Sequence, residues 1–234
     1  MDAPVAPPAD RYINRDLSLL EFNQRVLAQA DDDAVPLLER LRFLCISCSN
    51  LDEFFEVRVA GLKQRAEIGA GSAGPGDLKP QQLLNEIRYR VHDLVTKQYE
   101  MLNEVLLPAL AETRIHFLQR HEWDDEQRMW VNAFYQEKVL PVLTPLTLDP
   151  SRPFPRMLNK SLYFLVRLKE EDAFGKQCHH AVLQEPRSLP RIIRMPDHLV
   201  KTGTEAHVFL SSIIHANVAD LFPGMQIEGC YQFR

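Results

Sequence analysis

Between Lys79 and Leu110 apolar residues recur at helical spacing over an unusual length. Leu83, Ile87, Val91, Leu94, Met101, Leu102 and Val105 form one stripe, interrupted only by Pro108 near its end. Such a stripe demands a long helix with one face covered by other helices. The residues upstream supply candidates. Leu17–Asp31 carries a helix-start pattern, with Ser18 as N-cap, Glu21 closing a capping box and Leu17 placed to staple onto Phe22. Pro36 suits the first turn of a second helix, with Leu37, Leu41, Leu44 and Cys48 on one face and Phe43 and Ile46 on others. That helix is expected to be buried nearly all round. A third is expected from Leu51 to about Arg65 or Ile68, ending in GAGSAGPGD, residues 69–77. This glycine-rich segment has no GK[ST] ending and no strand before it, so it reads as a connector and not as a phosphate loop. The expectation is an all-α domain over residues 12–110, a helical bundle of four antiparallel helices.

Beyond residue 110 the texture changes. IHFL (115–118) reads as a strand and Asp124–Leu140 as a helix. Pro141, Pro145, Pro150, Pro153 and Pro155 then punctuate a loop. LYFLVRL (162–168) and HHAVL (179–183) alternate as strands and are placed to pair antiparallel around EEDAFGKQ, while SSIIHANVADLF (211–222) reads as a helix. The final GCYQFR alternates like a strand with no closing turn. Residues 111–234 are therefore expected to form an α+β domain truncated at its C-terminal side, and the chain to be a piece of something longer.

The first residues, MDAPVAPPADR, lack both a basic and an apolar signal region, so residues 1–11 read as a disordered leader. No apolar run reaches membrane-spanning length. The composition, 45% hydrophobic and 25% charged, is that of a globular protein, and the net charge of −5 argues against non-specific nucleic-acid binding. Any phosphate site must be local. The cysteines, Cys45, Cys48, Cys178 and Cys230, are sparse, and those within apolar stretches are expected to be buried thiols of a reducing cytoplasm. Cys45-x-x-Cys48 has no second Cys or His pair to close a tetrahedral metal site. His179 and His180 are adjacent on a strand and so point to opposite faces. No nucleophile and base occur in a recognisable local pattern, and no metal ligand set is assigned.

The stretch SNLDEFFEVR (49–58) holds the one concentration of polar chemistry. Asn50 reads as the N-cap of the third helix, Glu53 completes a box and Asp52 favours the macrodipole. At about 100° per residue, Arg58 falls inside the apolar arc shared by Phe55 and Leu62, with Arg65 on nearly the same stripe. A guanidinium there needs a partner: a carboxylate such as Glu21, or a phosphate. Spacing leaves both open.

At these residues the sequence resembles the long, phosphohistidine-forming bacterial polyphosphate kinases. RYINRDLSLLEFNQRVL, PLLERLRFLCISCSNLDEFFEVRVAGLKQ and LPVLTPLTLDP are similar to the N-terminal portion of that family. The resemblance implies reversible transfer of the terminal phosphate of ATP to inorganic polyphosphate, with ADP as co-product. It implies that a helical domain forms one wall of the ATP site, that Asn50 contacts ATP, and that a head domain carries the contacts of a homodimer or higher homo-oligomer. The nucleophilic histidine and the residues that hold Mg2+ would then lie downstream. None of His92, His116, His121, His179, His180, His198, His207 or His215 takes that role, and this piece alone would be inactive. The implied location is the cytoplasm, including its membrane periphery. A non-catalytic helical interaction module, with SNLDEF as a mere cap, is the alternative.

Overall fold

The computed structural model describes residues 13–71, 78–149, 151, 153–172 and 175–234, with backbone alone for 170–172 and 175–178. The expected leader and residues 72–77 of the connector lie outside the described residues, as do residues 173–174. A helical unit, Met1–Glu112, is followed by a mixed α/β unit, Thr113–Arg234.

The helical unit has three rods where four helices were expected. The first is α1 (Arg15–Asp31). The second begins as α2 (Leu37–Glu53), passes through a π-helical turn (Phe54–Val59) and continues as α3 (Ala60–Glu67). The third is α4 (Pro80–Glu100), a second π-helical turn (Met101–Leu106) and α5 (Leu107–Glu112). Its stripe is buried as expected at Leu83, Ile87 and Leu94, but the π-helical turn shifts the register, and Leu106 takes the fully buried place.

Three local expectations fail for identifiable reasons. The N-cap of α1 is Asn14, whose Oδ1 accepts from the N–H groups of Asp16 (3.0 Å) and Leu17 (3.2 Å), so Ser18 lies inside the helix. Phe22 is not stapled to Leu17; it is half exposed beneath the Arg25 guanidinium, 5.8 Å from the ring centre. The second helix is not buried all round, since Leu38, Ile46 and Cys45 face outward and Cys48 is only half covered. What holds the α1–α2 turn is polar. Arg40, 8% exposed, donates through Nε to the Ala30 carbonyl (2.8 Å) and through Nη1 to Asp33 (2.7 Å), satisfying a carbonyl at the end of α1.

The α/β unit contains two sheets. β1 (Ile115–Phe117) runs parallel to β6 (Glu205–Phe209), which pairs antiparallel with β5 (Ile192–Arg194). The other sheet is antiparallel in the order β2 (Pro145–Leu148), β4 (Gly175–Gln184), β3 (Tyr163–Asp172), β7 (Gln226–Phe233). The β3–β4 hairpin and the β7 strand agree with the sequence reading. β2, β5 and β6 were not foreseen. The helix expected at 124–140 is α6 (Asp125–Phe134), capped by Asp124 and extended by a π-helical turn through Val139. That expected at 211–222 is α7 (Leu210–Ala216) followed by a short 3-10 turn. Tyr135, Phe164, Val166, Leu183, Val208 and Ile213 are among the residues of its core, each fully buried.

Candidate functional site

Asn50 is not a helix cap. It lies within α2, half-buried, three residues after Ser47 and one helical turn before the π-helical segment. Its polar character is explained by what faces it. Asn23 of α1, 3% exposed, donates through Nδ2 to the Ser47 carbonyl (2.9 Å) and accepts at Oδ1 from Asn50 Nδ2 (3.3 Å). From the other side Gln98 of α4, also buried, donates to the Ser47 hydroxyl (2.9 Å). A ladder of side-chain amides and one hydroxyl thus crosses the three-rod core and emerges at Asn50.

It emerges in a pocket of about 300 Å³ between α1 and the α2 rod, lined by Leu19, Leu20, Phe22 and Asn23 on one side. Asn50, Leu51, Glu53, Phe54, Val57 and Arg58 line the other. The π-helical turn begins at Phe54 and contributes Val57 and Arg58 to this wall, which is a common use of π-bulges. The wheel reading of Arg58 assumed an uninterrupted α-helix. With the turn wider, Phe55 is 41% exposed instead of sharing a buried arc with Leu62.

Among the proposed site residues, Asn50 and Arg58 therefore share one pocket, and Arg65 is outside it; Arg65 Nη2 reaches the Gly71 carbonyl at 3.4 Å. The Glu21 carboxylate expected as one partner for Arg58 instead pairs with Arg90, which also binds Glu86 (2.9 Å). Among the described residues no carboxylate pairs with Arg58. A larger groove of about 890 Å³ runs elsewhere on the helical unit past Leu84, Val91, Val95 and Tyr99. It is also lined by Asn85, Asn103 and Arg88 but contains neither Asn50 nor Arg58, so the smaller pocket is the one that joins the two residues singled out by the sequence.

Perturbed acidities in the α/β unit follow from burial. The Tyr135 phenol is pushed up to about 12 by burial and, secondarily, by Asp220. Burial raises Glu185 against the opposing pull of Arg191, and raises Cys230 against that of Arg120. His215 is held between Arg120 (2.5 Å at Nδ1) and the Cys230 carbonyl (3.1 Å at Nε2), a structural arrangement. Among the described residues no three His, Cys, Asp or Glu side chains come together as a metal site, and the pocket's one carboxylate is Glu53. No described helix is long and apolar enough to cross a membrane.

Two family models cover nearly all of the chain, the polyphosphate kinase N-terminal domain over residues 12–118 and the polyphosphate kinase middle domain over residues 126–234. The chain belongs to the polyphosphate kinase family. It is 51% identical to a polyphosphate kinase of Pseudomonas aeruginosa over 95% of its own length and 32% of that protein's. Against one from Neisseria meningitidis the identity is 50%, over 97% of this chain and 33% of that one. The crystal structure of polyphosphate kinase from Porphyromonas gingivalis superposes with a TM-score of 0.75 at 29% identity, covering 93% of this chain and 32% of that one. The chain thus spans about a third of the length of these relatives and corresponds to a helical N-terminal domain followed by a mixed α/β domain. Family membership was legible in the motifs; the amide ladder and the π-helical turn were not.

Proposed function

We infer that this chain is the N-terminal part of an enzyme that reversibly transfers the terminal phosphate of ATP to inorganic polyphosphate, and that the Asn50 pocket is one wall of its ATP site. The observation that supports this is an amide and a guanidinium on apolar walls in one pocket of a polyphosphate kinase chain. Apolar walls suit a base, Asn50 offers directional hydrogen bonds, and Arg58 offers charge for phosphate oxygens. A histidine beyond Arg234 attacks the γ-phosphorus and ADP leaves. The N–P bond of the resulting phosphohistidine is then broken by the terminal oxygen of polyphosphate. Mg2+ is held by residues of that same downstream part. In this reading residues 12–110 form the nucleotide-side domain, and 111–234 form part of a head domain that joins subunits of a cytoplasmic homo-oligomer. Arg65 stays a structural residue.

The test uses the protein at the full length of its relatives. With γ-labelled ATP and Mg2+ it should lengthen polyphosphate and carry an acid-labile, base-stable label, whereas the 234-residue chain alone should take none. Asn50→Leu and Arg58→Met in the long form should each raise KM for ATP. Parent-like kcat/KM in Asn50→Leu would refute the site. Unchanged activity with lowered thermal stability in Arg58→Met would make Arg58 structural.

A further inference from the structure

The α/β unit has a pocket of its own, of about 520 Å³, lined by residues of β2 and β4 and by the segments 155–158 and 185–188. Its size is that of a small-ligand site, for which about 300–1,000 Å³ is usual. Glu185, the residue after β4, belongs to the lining and is only 4% exposed. Among the described residues its carboxylate makes no hydrogen bond or ion pair, and Oε2 is shut off from solvent. Arg191 acts on it through space without forming an ion pair. Native folds give nearly every such group a donor, because burial has stripped it of water.

Two guanidiniums line the same pocket. Arg187 donates through Nε to the Ser161 hydroxyl (3.1 Å) and through Nη2 to that hydroxyl and to the Asn159 carbonyl (3.0 Å). These bonds pin the group and leave Nη1 unspent. Arg156 is exposed and has no partner among the described residues. A cation alone would satisfy Glu185 but meet two like charges, and an anion alone would satisfy the arginines but leave Glu185 bare. A molecule carrying both charges answers all three. Elsewhere in the lining Val142, Leu146, Met157 and Val182 are apolar, which suits an aliphatic body.

We propose that this pocket binds an apolar α-amino acid, whose ammonium donates to Glu185 and whose carboxylate accepts from Arg156 and Arg187. Both contacts are charge-assisted hydrogen bonds, about twice as strong as neutral ones. The site lies wholly within residues 113–234 and does not depend on the reading of Asn50. The experiment titrates the protein at the full length of its relatives, by calorimetry and by thermal shift, with L-leucine as probe. Two analogues each lack one charge: leucinamide has no carboxylate, and N-acetylleucine has no ammonium. Leucine should bind saturably and raise Tm, and each analogue should bind about tenfold more weakly or worse, the scale of one hydrogen bond to a charged group. Glu185→Gln keeps the side chain's shape and removes its charge, so leucine should lose about tenfold and come to resemble N-acetylleucine. Arg156→Met, at an exposed position, should weaken leucine while leaving leucinamide near its value in the parent. No saturable binding of leucine up to about 10 mM overturns the proposal, whether the pocket is inert or filled by another part of the full-length protein. Parent-like leucine affinity in Glu185→Gln places any binding elsewhere and also overturns it. Equal affinity of the parent for leucine and N-acetylleucine overturns the ammonium contact, and unchanged leucine affinity in Arg156→Met overturns the carboxylate contact.

Discussion

Replacing Asn50 by Asp distinguishes a helix cap from a rung of the ladder, because the two roles give opposite outcomes. As an N-cap Asp is about as good as Asn, and the fold would lose a few tenths of a kcal/mol at most. Within α2 the intrinsic helix preferences of the two are also alike, so propensity contributes little. The cost comes from Asn23. Its Oδ1, 3.3 Å from Asn50 Nδ2, loses its donor and meets a carboxylate, and it cannot rotate away without turning the same oxygen on the Ser47 carbonyl. An unsatisfied buried acceptor costs about 1–3 kcal/mol, and the half-buried position of Asn50 favours the lower half of that range. In a unit of this size about 1–2 kcal/mol lowers Tm by about 4–16 °C. Thermal melts followed by circular dichroism at 222 nm report it, since most of the helix lies in the helical unit. A double variant, Asn23→Leu with Asn50→Leu, removes both partners and should melt higher than the sum of its single variants, with a coupling above about 0.5 kcal/mol. A melt of Asn50→Asp within about 1 °C of the parent, or no coupling in the double variant, refutes the ladder.

Arg40→Met should cost about 1–3 kcal/mol, because it strips the Ala30 carbonyl of its buried donor while keeping the aliphatic bulk; the same melts check it. Glu185→Gln tests burial in the α/β unit. Glu185 is 4% exposed, and burial raises its pKa above 4.5, so the folded state binds the proton more tightly than the unfolded one. Stability from this residue is complete below pH 4.5 and lost as pH rises through the raised folded value, whereas the neutral Gln variant loses none. Unfolding followed by the fluorescence of Trp123 and Trp130, both in this unit, should show the variant gaining on the parent as pH rises toward neutrality.

Where one period persists and burial follows it, the sequence was a sufficient guide. The stripe from Leu83 to Leu94 is of this kind, with Leu83, Ile87 and Leu94 buried, because it depends on local spacing alone. Failures came where a distant partner changed the meaning of a local signal. Ser18 with Glu21 satisfies the capping-box pattern, but Asn14 caps first, and Glu21 turns to Arg90. β2 was hidden by its one proline and by those on either side of it. Pro145 is nonetheless tolerable there, as the first residue of a strand at the sheet edge. β5 and β6 are short, and only their pairing identifies them.

SNLDEF illustrates the same limit at the site. Ser, Asn and Asp compete with helical hydrogen bonds, so a cluster of them normally marks a helix end. Inside a helix the cluster is tolerated when the side chains have better partners across the core, and here Asn23 and Gln98 supply them from two other rods. The helix therefore continues through the polar residues, and the π-helical turn follows them directly. Asn50, Phe54, Val57 and Arg58 stand at i, i+4, i+7 and i+8, positions that share one face of a helix, so all four line one pocket. Asn50 also holds its place in the ladder from that face, through Nδ2 to Asn23. One face of a single rod thus serves a buried polar ladder and presents an amide and a guanidinium to one pocket.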